Sequence, residues 1–284
     1  MKTATLNITC PDKKGLVADL TQFVFHNRGN ILALDQYVDE EEKVFFMRLE
    51  WDMRGFKISR KELLISLKKH AKGKAYAGGW ELFFSDVKPR MAILVSKHDH
   101  CLFDLLLRHK SGELNCDIPL IISNHNETKT IADMFGVDFC HIPVPKKGKA
   151  SAEKRQLKTL AEYNVDFIVL ARYMQILSGK FIAHFKSKII NVHHSFLPAF
   201  KGAGAYRQAW EKGVKVIGAT SHFVTTELDH GPIICQKVEG ISHLDTVDDL
   251  MRKGKDLERT VLAEATRLFI EHRLFIYKGK TVIF

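Results

Sequence analysis

Ile189-Ile190-Asn191-Val192-His193-His194-Ser195-Phe196-Leu197-Pro198 passes from an apolar run into polar side chains. A short run rich in branched aliphatic residues has the pattern of a strand buried on both faces. Strand side chains alternate between faces, so Asn191 and His193 share one face and emerge at the carboxyl end of the run. Open α/β sheets bind ligands just beyond the carboxyl ends of their strands. Taken alone, the pair suits equally a strand end whose Asn and His bond backbone groups.

Comparable runs lie on either side. Met91 to Val95, Ile118 to Ile122, Phe139 to Val144, Phe167 to Leu170 and Val214 to Ala219 are short, apolar and β-rich, and helical patterns separate most of them. This alternation predicts a Rossmann-like α/β domain with a mostly parallel sheet. Asp245 to Glu271 has the spacing of a long amphipathic helix, and short strands are expected from Leu274 to Phe284.

Upstream the pattern differs. Thr3 to Thr9 alternates as a strand, and Gly15 to Asn27 places Leu16, Leu20, Phe23 and Val24 on one helical face. Ile31 to Val38 and Lys43 to Trp51 read as a hairpin around the acidic tip Asp39 to Glu42. Ser59 to Ala71 is helical, with Ser59 as N-cap and Glu62 three residues on, and Trp80 to Phe84 is a last strand. The order βαββαβ predicts a ferredoxin-like unit. The pattern changes between Ser85 and Arg90, where Pro89 marks a linker, so the expected domains are 1–85 and 86–284.

The 284 residues suffice for two domains, and 45% hydrophobic content suffices for their cores. The formal charge of +10 is spread along the chain without an RNA-binding motif or a basic helix interleaved with aromatics. The expectation is therefore no specific nucleic-acid partner, only a basic surface that attracts anionic small molecules. Five cysteines, none in a CxxC pair, argue against a disulfide framework or structural zinc and fit reduced thiols. There is no apolar run of signal-peptide or membrane-spanning length, so a cytoplasmic protein without membrane attachment is expected.

A second polar segment bears on Asn191 and His193. Gly218 to Val224 is strand-like, Thr225 to Asp229 is a polar loop, and Gly231-Pro232 turns into a further run, Ile233 to Val238. A carboxylate at Asp229 raises imidazole basicity, an imidazole moves protons, and an amide stabilises an oxyanion, so the three together suit acyl chemistry.

These residues also carry a resemblance. Asn191 to Gly204 (NVHHSFLPAFKGAG) followed by Gly218 to Gln236 (GATSHFVTTELDHGPIICQ) resembles the folate-dependent formyltransferase fold. The resemblance runs from about Lys88 to Phe284 and includes Ile93 to Leu106 and Pro119 to His125. It implies that Asn191, His193 and Asp229 are the catalytic set and that Leu170 to Ser178 is a folate-binding loop. The pterin is then expected against Met174, Ile176 and Leu177 and the loop from Val224 to Leu228, with basic surface near Arg172 favouring the anionic tail. The N-terminal unit resembles an ACT domain. Asp12-Lys13-Lys14-Gly15-Leu16-Val17 matches the loop that opens its first helix, which implies an amino-acid effector at Asp12, Gly15 and Leu16.

An ACT domain followed by a formyltransferase fold resembles a group of enzymes that hydrolyse 10-formyltetrahydrofolate to formate and tetrahydrofolate. Such enzymes supply formate for purine synthesis and balance the one-carbon folate pool. The resemblance implies no cofactor, folate itself being the substrate, and a homo-oligomer paired through the ACT domain. Relatives that formylate glycinamide ribonucleotide carry a Gly-Ser-Asn-rich loop after the first strand, which holds the acceptor's phosphate. Here that loop reads Ser96-Lys97-His98-Asp99-His100-Cys101, without glycine, so backbone amides cannot approach a phosphate closely. This favours water as the acceptor. Three alternatives stay open at this point: transfer to an amine, an amino-acid sensor without activity, and a metal at His98-x-His100, which lacks a third histidine at zinc spacing.

Overall fold

A computed structural model describes residues 2–145, 147–197 and 205–284. The end of the Asn191 to Gly204 motif, 198–204, lies outside the described residues. The chain divides into two compact units. One comprises Met1–Lys88, His272–Phe275 and Val282–Phe284, the other Pro89–Glu271 and Ile276–Thr281.

The first unit follows the predicted order: β1 (Thr3–Pro11), α1 (Leu16–His26), β2 (Asn30–Asp39), β3 (Val44–Asp52), α2 (Arg60–Ala71) and β4 (Trp80–Phe84). The sheet is antiparallel in the order β2-β3-β1-β4. Leu6, Ile8, Met47, Leu49 and Trp51 on the strands bury against Leu16, Leu20, Leu63 and Leu67 of the two helices. Gly15 precedes α1 with φ 91°, a left-handed conformation open to glycine. Ser59 caps α2 as read from the sequence: its hydroxyl accepts from the Glu62 N–H, and Glu62 accepts from the Ser59 N–H. Such a cap contributes about 1 kcal/mol.

The C-terminal strands β12 (Leu274–Tyr277) and β13 (Lys280–Ile283) were expected within the second domain. Their outer residues cluster instead with the first unit. Phe275 packs edge-on to Phe46 with ring centroids 6.0 Å apart and Phe284 on Phe275 at 5.2 Å, while His272 stacks on Phe83 at 3.6 Å. Apolar side chains on the second face of the sheet thus gain cover that the first 85 residues do not provide.

His272 carries a testable consequence. Its burial, and after that the Arg48 charge, lowers its pKa to about 4. Free histidine titrates near 6.5, so between roughly pH 6.5 and 4 the unfolded chain binds a proton that the folded chain refuses. This contribution to stability is complete above that window and is lost as the pH falls through it. The slope of unfolding free energy against pH should be shallower in His272→Gln by up to about 1.4 kcal/mol per pH unit, reduced for the part of the ring that water screens. Denaturant titrations of both proteins at several pH values measure it, and parallel slopes would rule it out.

The second unit contains β5 (Arg90–Val95), α3 (His100–Lys110), β6 (Asp117–Ser123), α4 (Lys129–Phe135), β7 (Asp138–His141), α5 (Lys149–Glu162), β8 (Phe167–Ala171), α6 (Gly179–His184), β9 (Ile189–His193), α7 (Ala205–Glu211), β10 (Val216–Phe223), β11 (Ile233–Gly240) and α8 (Val247–Ile270). Its seven strands order as β11-β10-β9-β8-β5-β6-β7. β7, β6, β5, β8 and β9 are parallel, and β10 and β11 are antiparallel additions at one edge. The strand Val214 to Ala219 read from the sequence starts two residues later, at Val216. β5 and β8 are apolar and buried on both faces, as central parallel strands must be. From β5 the chain progresses one way to β6 and β7, then returns to β8 and β9 on the other side. The switch point therefore lies between the carboxyl ends of β5 and β8. α8, capped by the reciprocal Thr246–Asp249 pair, packs over β9, β10 and β11 and against α3 and α7. Among the described residues no helix is long and apolar enough to cross a membrane.

Candidate active site

Asn191 and His193 stand at the carboxyl end of β9, on the face that alternation assigns them. β10 runs antiparallel beside them and sets His222 opposite Asn191. The Ser221 hydroxyl donates to the Asn191 carbonyl at 3.0 Å and fastens the two strands at this level. Asp229 follows in the loop between β10 and β11, in the left-handed region at φ 55°, which Asp tolerates better than most residues. Gly231 then passes so close to the Phe223 carbonyl that any side chain there would overlap it. This tight return brings Asp229 back over the strand ends.

The result is a compact polar group. The Asp229 carboxylate lies 3.2 Å from His193 Nδ1 through Oδ2 and 3.6 Å from His222 Nε2 through Oδ1. His222 Nδ1–H donates to the Phe223 carbonyl at 2.9 Å, and its Nε2 is 3.2 Å from Asn191 Nδ2. A neutral His222 accepts from the Asn191 amide, whereas a charged one donates to Asp229. The hydrogen bonds from His193 and then His222 outweigh burial and hold the Asp229 carboxyl well below the usual carboxylate range. Asp229 is therefore a fixed negative charge. Bonded to Asp229 through Nδ1, His193 leaves Nε2 for another partner. Nε2 is buried and has no hydrogen-bond partner among the described residues.

These groups line a cavity of about 320 Å³. Its walls are the β8–α6 loop from Arg172 to Leu177 and the β10–β11 loop from Val224 to Asp229, and all nine residues singled out in the sequence for catalysis or substrate contact border it. They differ in character. Met174, Ile176 and Leu228 are 58%, 60% and 60% exposed, an apolar rim that a flat ring can cover. Leu177 is 8% exposed and belongs to the core cluster with Phe181 and Ile189, with Val224 packed against it. Arg172 departs from expectation. Its guanidinium Nε lies 3.4 Å from the buried Glu258 carboxylate, an acid partner that the sequence did not show. In the first unit, Asp12, Gly15 and Leu16 border a separate cavity of about 480 Å³ together with Gln36, Val38 and Phe45.

Two residues of this neighbourhood were not singled out in the sequence. His222 depends on the β9–β10 register, which no local pattern reveals. Glu258 left a signal: a carboxylate between Gly254 and Leu262 on the apolar stripe of α8. Among the described residues, His100, Cys101 and Glu258 bring three potential metal-ligand atoms within 4.8 Å of one another. The Arg172 charge beside Glu258 opposes a cation there.

The fold and this polar group define a class, and comparison with known proteins gives it a name. Residues 89–266 match the family model for formyl transferase. A relative from Synechocystis named formyltetrahydrofolate deformylase is 51% identical, the alignment covering 99% of this chain and 98% of the relative. A crystal structure of a formyltetrahydrofolate deformylase from Pseudomonas syringae superimposes with TM-score 0.97 at 38% identity, covering 100% of this chain and 95% of that one. A glycinamide ribonucleotide transformylase from Symbiobacterium toebii matches more narrowly, with TM-score 0.67 and 35% identity over 72% of this chain and 97% of its own. The chain belongs to the formyltetrahydrofolate deformylases, within the formyl transferase family.

Proposed function

We propose that the protein hydrolyses 10-formyltetrahydrofolate to formate and tetrahydrofolate at Asn191, His193 and Asp229. The observation that carries the chemistry is His193, fixed through Nδ1 by an ionised Asp229, with its Nε2 buried and unpartnered among the described residues, at the wall of the cavity that Asn191 also lines. Water attacks the formyl carbon. The carbonyl oxygen becomes an oxyanion, stabilised by the Asn191 amide and by His193 in its imidazolium form. The bond from carbon to N10 then breaks as His193 passes its proton to the departing nitrogen; the proton lost from the attacking water restores the imidazolium, and formate leaves. Asp229 supports the imidazolium charge whenever His193 carries the proton. His222, bound to Phe223, Asn191 and Asp229, positions the last two. The pterin lies against Met174, Ile176 and Leu228, with Leu177 and Val224 as the floor.

The first unit is proposed as an ACT domain whose cavity beside Gly15 takes a small amino acid. The antiparallel βαββαβ arrangement and the open left-handed turn at Gly15 support this reading. Pairing of such units would make a homo-oligomer. All five cysteines are free, which fits work in the reducing cytoplasm, where the released formate can feed purine synthesis.

The purified protein should release formate and tetrahydrofolate in equal amounts without any amine, and glycine or methionine should alter that rate. A formate assay with each amino acid titrated in tests both. Turnover only when an amine acceptor is supplied would replace the hydrolase reading with the transferase one. An unaltered rate, with no binding of either amino acid, would remove both as effectors.

A further inference from the structure

α5 carries two polar side chains on its buried face. The buried residues of this helix are Ala152, Glu153, Gln156 and Leu160, a stripe at helical spacing. A glutamate and a glutamine on such a stripe lose hydration and need hydrogen bonds to offset the loss. Both find them in the β8–α6 loop. Glu153 holds Ser178 with both oxygens: Oε1 accepts from its N–H at 2.8 Å, and Oε2 accepts from its hydroxyl. Lys149, one turn earlier on α5, stands 4.0 Å from Oε1. Gln156 Nε2 donates to the Tyr173 hydroxyl at 2.8 Å, and both residues are buried. Gln156 Oε1 is buried without a partner among the described residues. A buried oxygen left unbonded costs stability that an apolar side chain would not, so the amide serves something other than stability.

The loop that these two side chains hold has an unfavourable conformation of its own. Met174 and Ile176 are exposed apolar side chains three positions or fewer from its ends. Left free, such a loop buries its apolar groups against whatever surface is near, or samples many states. Its first half is tied to the end of β5. The Ser96 N–H donates to the Arg172 carbonyl at 3.3 Å, the Met174 N–H donates to the Ser96 hydroxyl at 2.9 Å, and that hydroxyl donates to Asn124 Oδ1 at 2.7 Å. Arg172 is thereby kept at φ 62°, a conformation costly to a long side chain and retained where its surroundings enforce it. The far end is tied by Glu153. Ser178 also caps α6, accepting from the Phe181 N–H at 3.2 Å. Beside it, a methyl group on Gly179 would stand 3.4 Å from the Thr226 methyl, and Thr226 belongs to the opposite wall of the cavity. The grip of Glu153 on Ser178 therefore sets where the two walls meet.

We propose that Glu153 and Gln156 are positioning residues that hold the β8–α6 loop in its pterin-binding form before the substrate arrives. Neither lines the cavity, so they act on affinity through the loop and leave the chemistry at Asn191, His193 and Asp229 alone. Ordering a loop is part of the cost of binding, and a loop ordered in advance spares it. The proposal rests on the deformylase reading for the identity of the ligand.

The native protein, Glu153→Gln and Gln156→Leu are compared in three measurements: formate release from 10-formyltetrahydrofolate, calorimetric binding of tetrahydrofolate, and hydrogen exchange of residues 172–178. Glutamine keeps the size of Glu153 but meets the Ser178 hydroxyl with one acceptor fewer. Leucine keeps the bulk of Gln156, removes its bond to Tyr173 and removes the unbonded oxygen. Each variant should raise KM and the tetrahydrofolate Kd about tenfold, with kcat within about twofold of native. Exchange in the loop should quicken while exchange in β8 stays native, and saturating tetrahydrofolate should restore the loop's protection. Unchanged KM, Kd and loop exchange in the folded variants overturn the proposal. A fall in kcat with unchanged KM overturns it too, because it marks lost competent protein instead of lost affinity. If one variant does not fold, the other decides. Absence of formate release from the native protein overturns the deformylase reading instead, and tetrahydrofolate binding and loop exchange then still judge the two anchors.

Discussion

His193→Ala should lower kcat/KM for formate release by about 10²–10⁴-fold, the usual worth of a positioned acid or base, with the protein still folded. The imidazole occupies the end of β9 at the cavity wall, so its removal leaves the apolar strand core of Ile189 and Ile190 in place. Asp229 keeps His222 as a partner at 3.6 Å. What is lost is the group proposed to give a proton to the departing nitrogen and to stabilise the oxyanion. Asn191→Ala removes a neutral donor alone and should cost about 10²–10³-fold. Steady-state kinetics on protein with a native unfolding midpoint decide the matter. A folded His193→Ala enzyme with near-native turnover would exclude His193 from the chemistry.

Asp229→Asn should cost a comparable factor, roughly 10²–10⁴, by a different route. Asparagine keeps the shape but not the charge. The imidazolium then loses the anion at 3.2 Å that supports it, and an amide N–H turned toward Nδ1 imposes the other tautomer. A native unfolding midpoint separates this from a packing defect. Asp229 is held ionised by His193 and His222 far below the usual range, so its protonation does not limit the native enzyme near neutrality. The same shift makes its contribution to stability complete above the ordinary aspartate pKa of about 3.9 and lost on acidification below it. A folded variant with native kcat would show that the charge is dispensable.

Much of this site could be read from local pattern. Strand periodicity alone places Asn191 and His193 on one face at a carboxyl end, because side chains alternate whatever the partner strand does. Asp229 could be assigned to a loop, and Met174, Ile176 and Leu228 to its rim, from polar and apolar spacing together with family resemblance. Arg172 shows the limit. Its position was found, but its charge was assigned to the substrate, since sequence shows a basic residue and not the acid it meets. Glu258 is 86 residues away on another element.

The sequence by itself determined the local elements: the βαββαβ order, the Ser59 cap, the apolar parallel strands, and the strand end that bears the amide and imidazole. These follow from periodicity and capping, which act over a few residues. The tertiary structure alone decided the rest. It turned β10 and β11 antiparallel, so that His222 faces Asn191 and braces Asp229. It returned Phe275 and Phe284 to the first unit, and it closed His100, Arg172 and Tyr206 around Glu258. Register and burial of charge depend on which distant segments meet, and the energy of a buried carboxylate is set by the partners that fold around it.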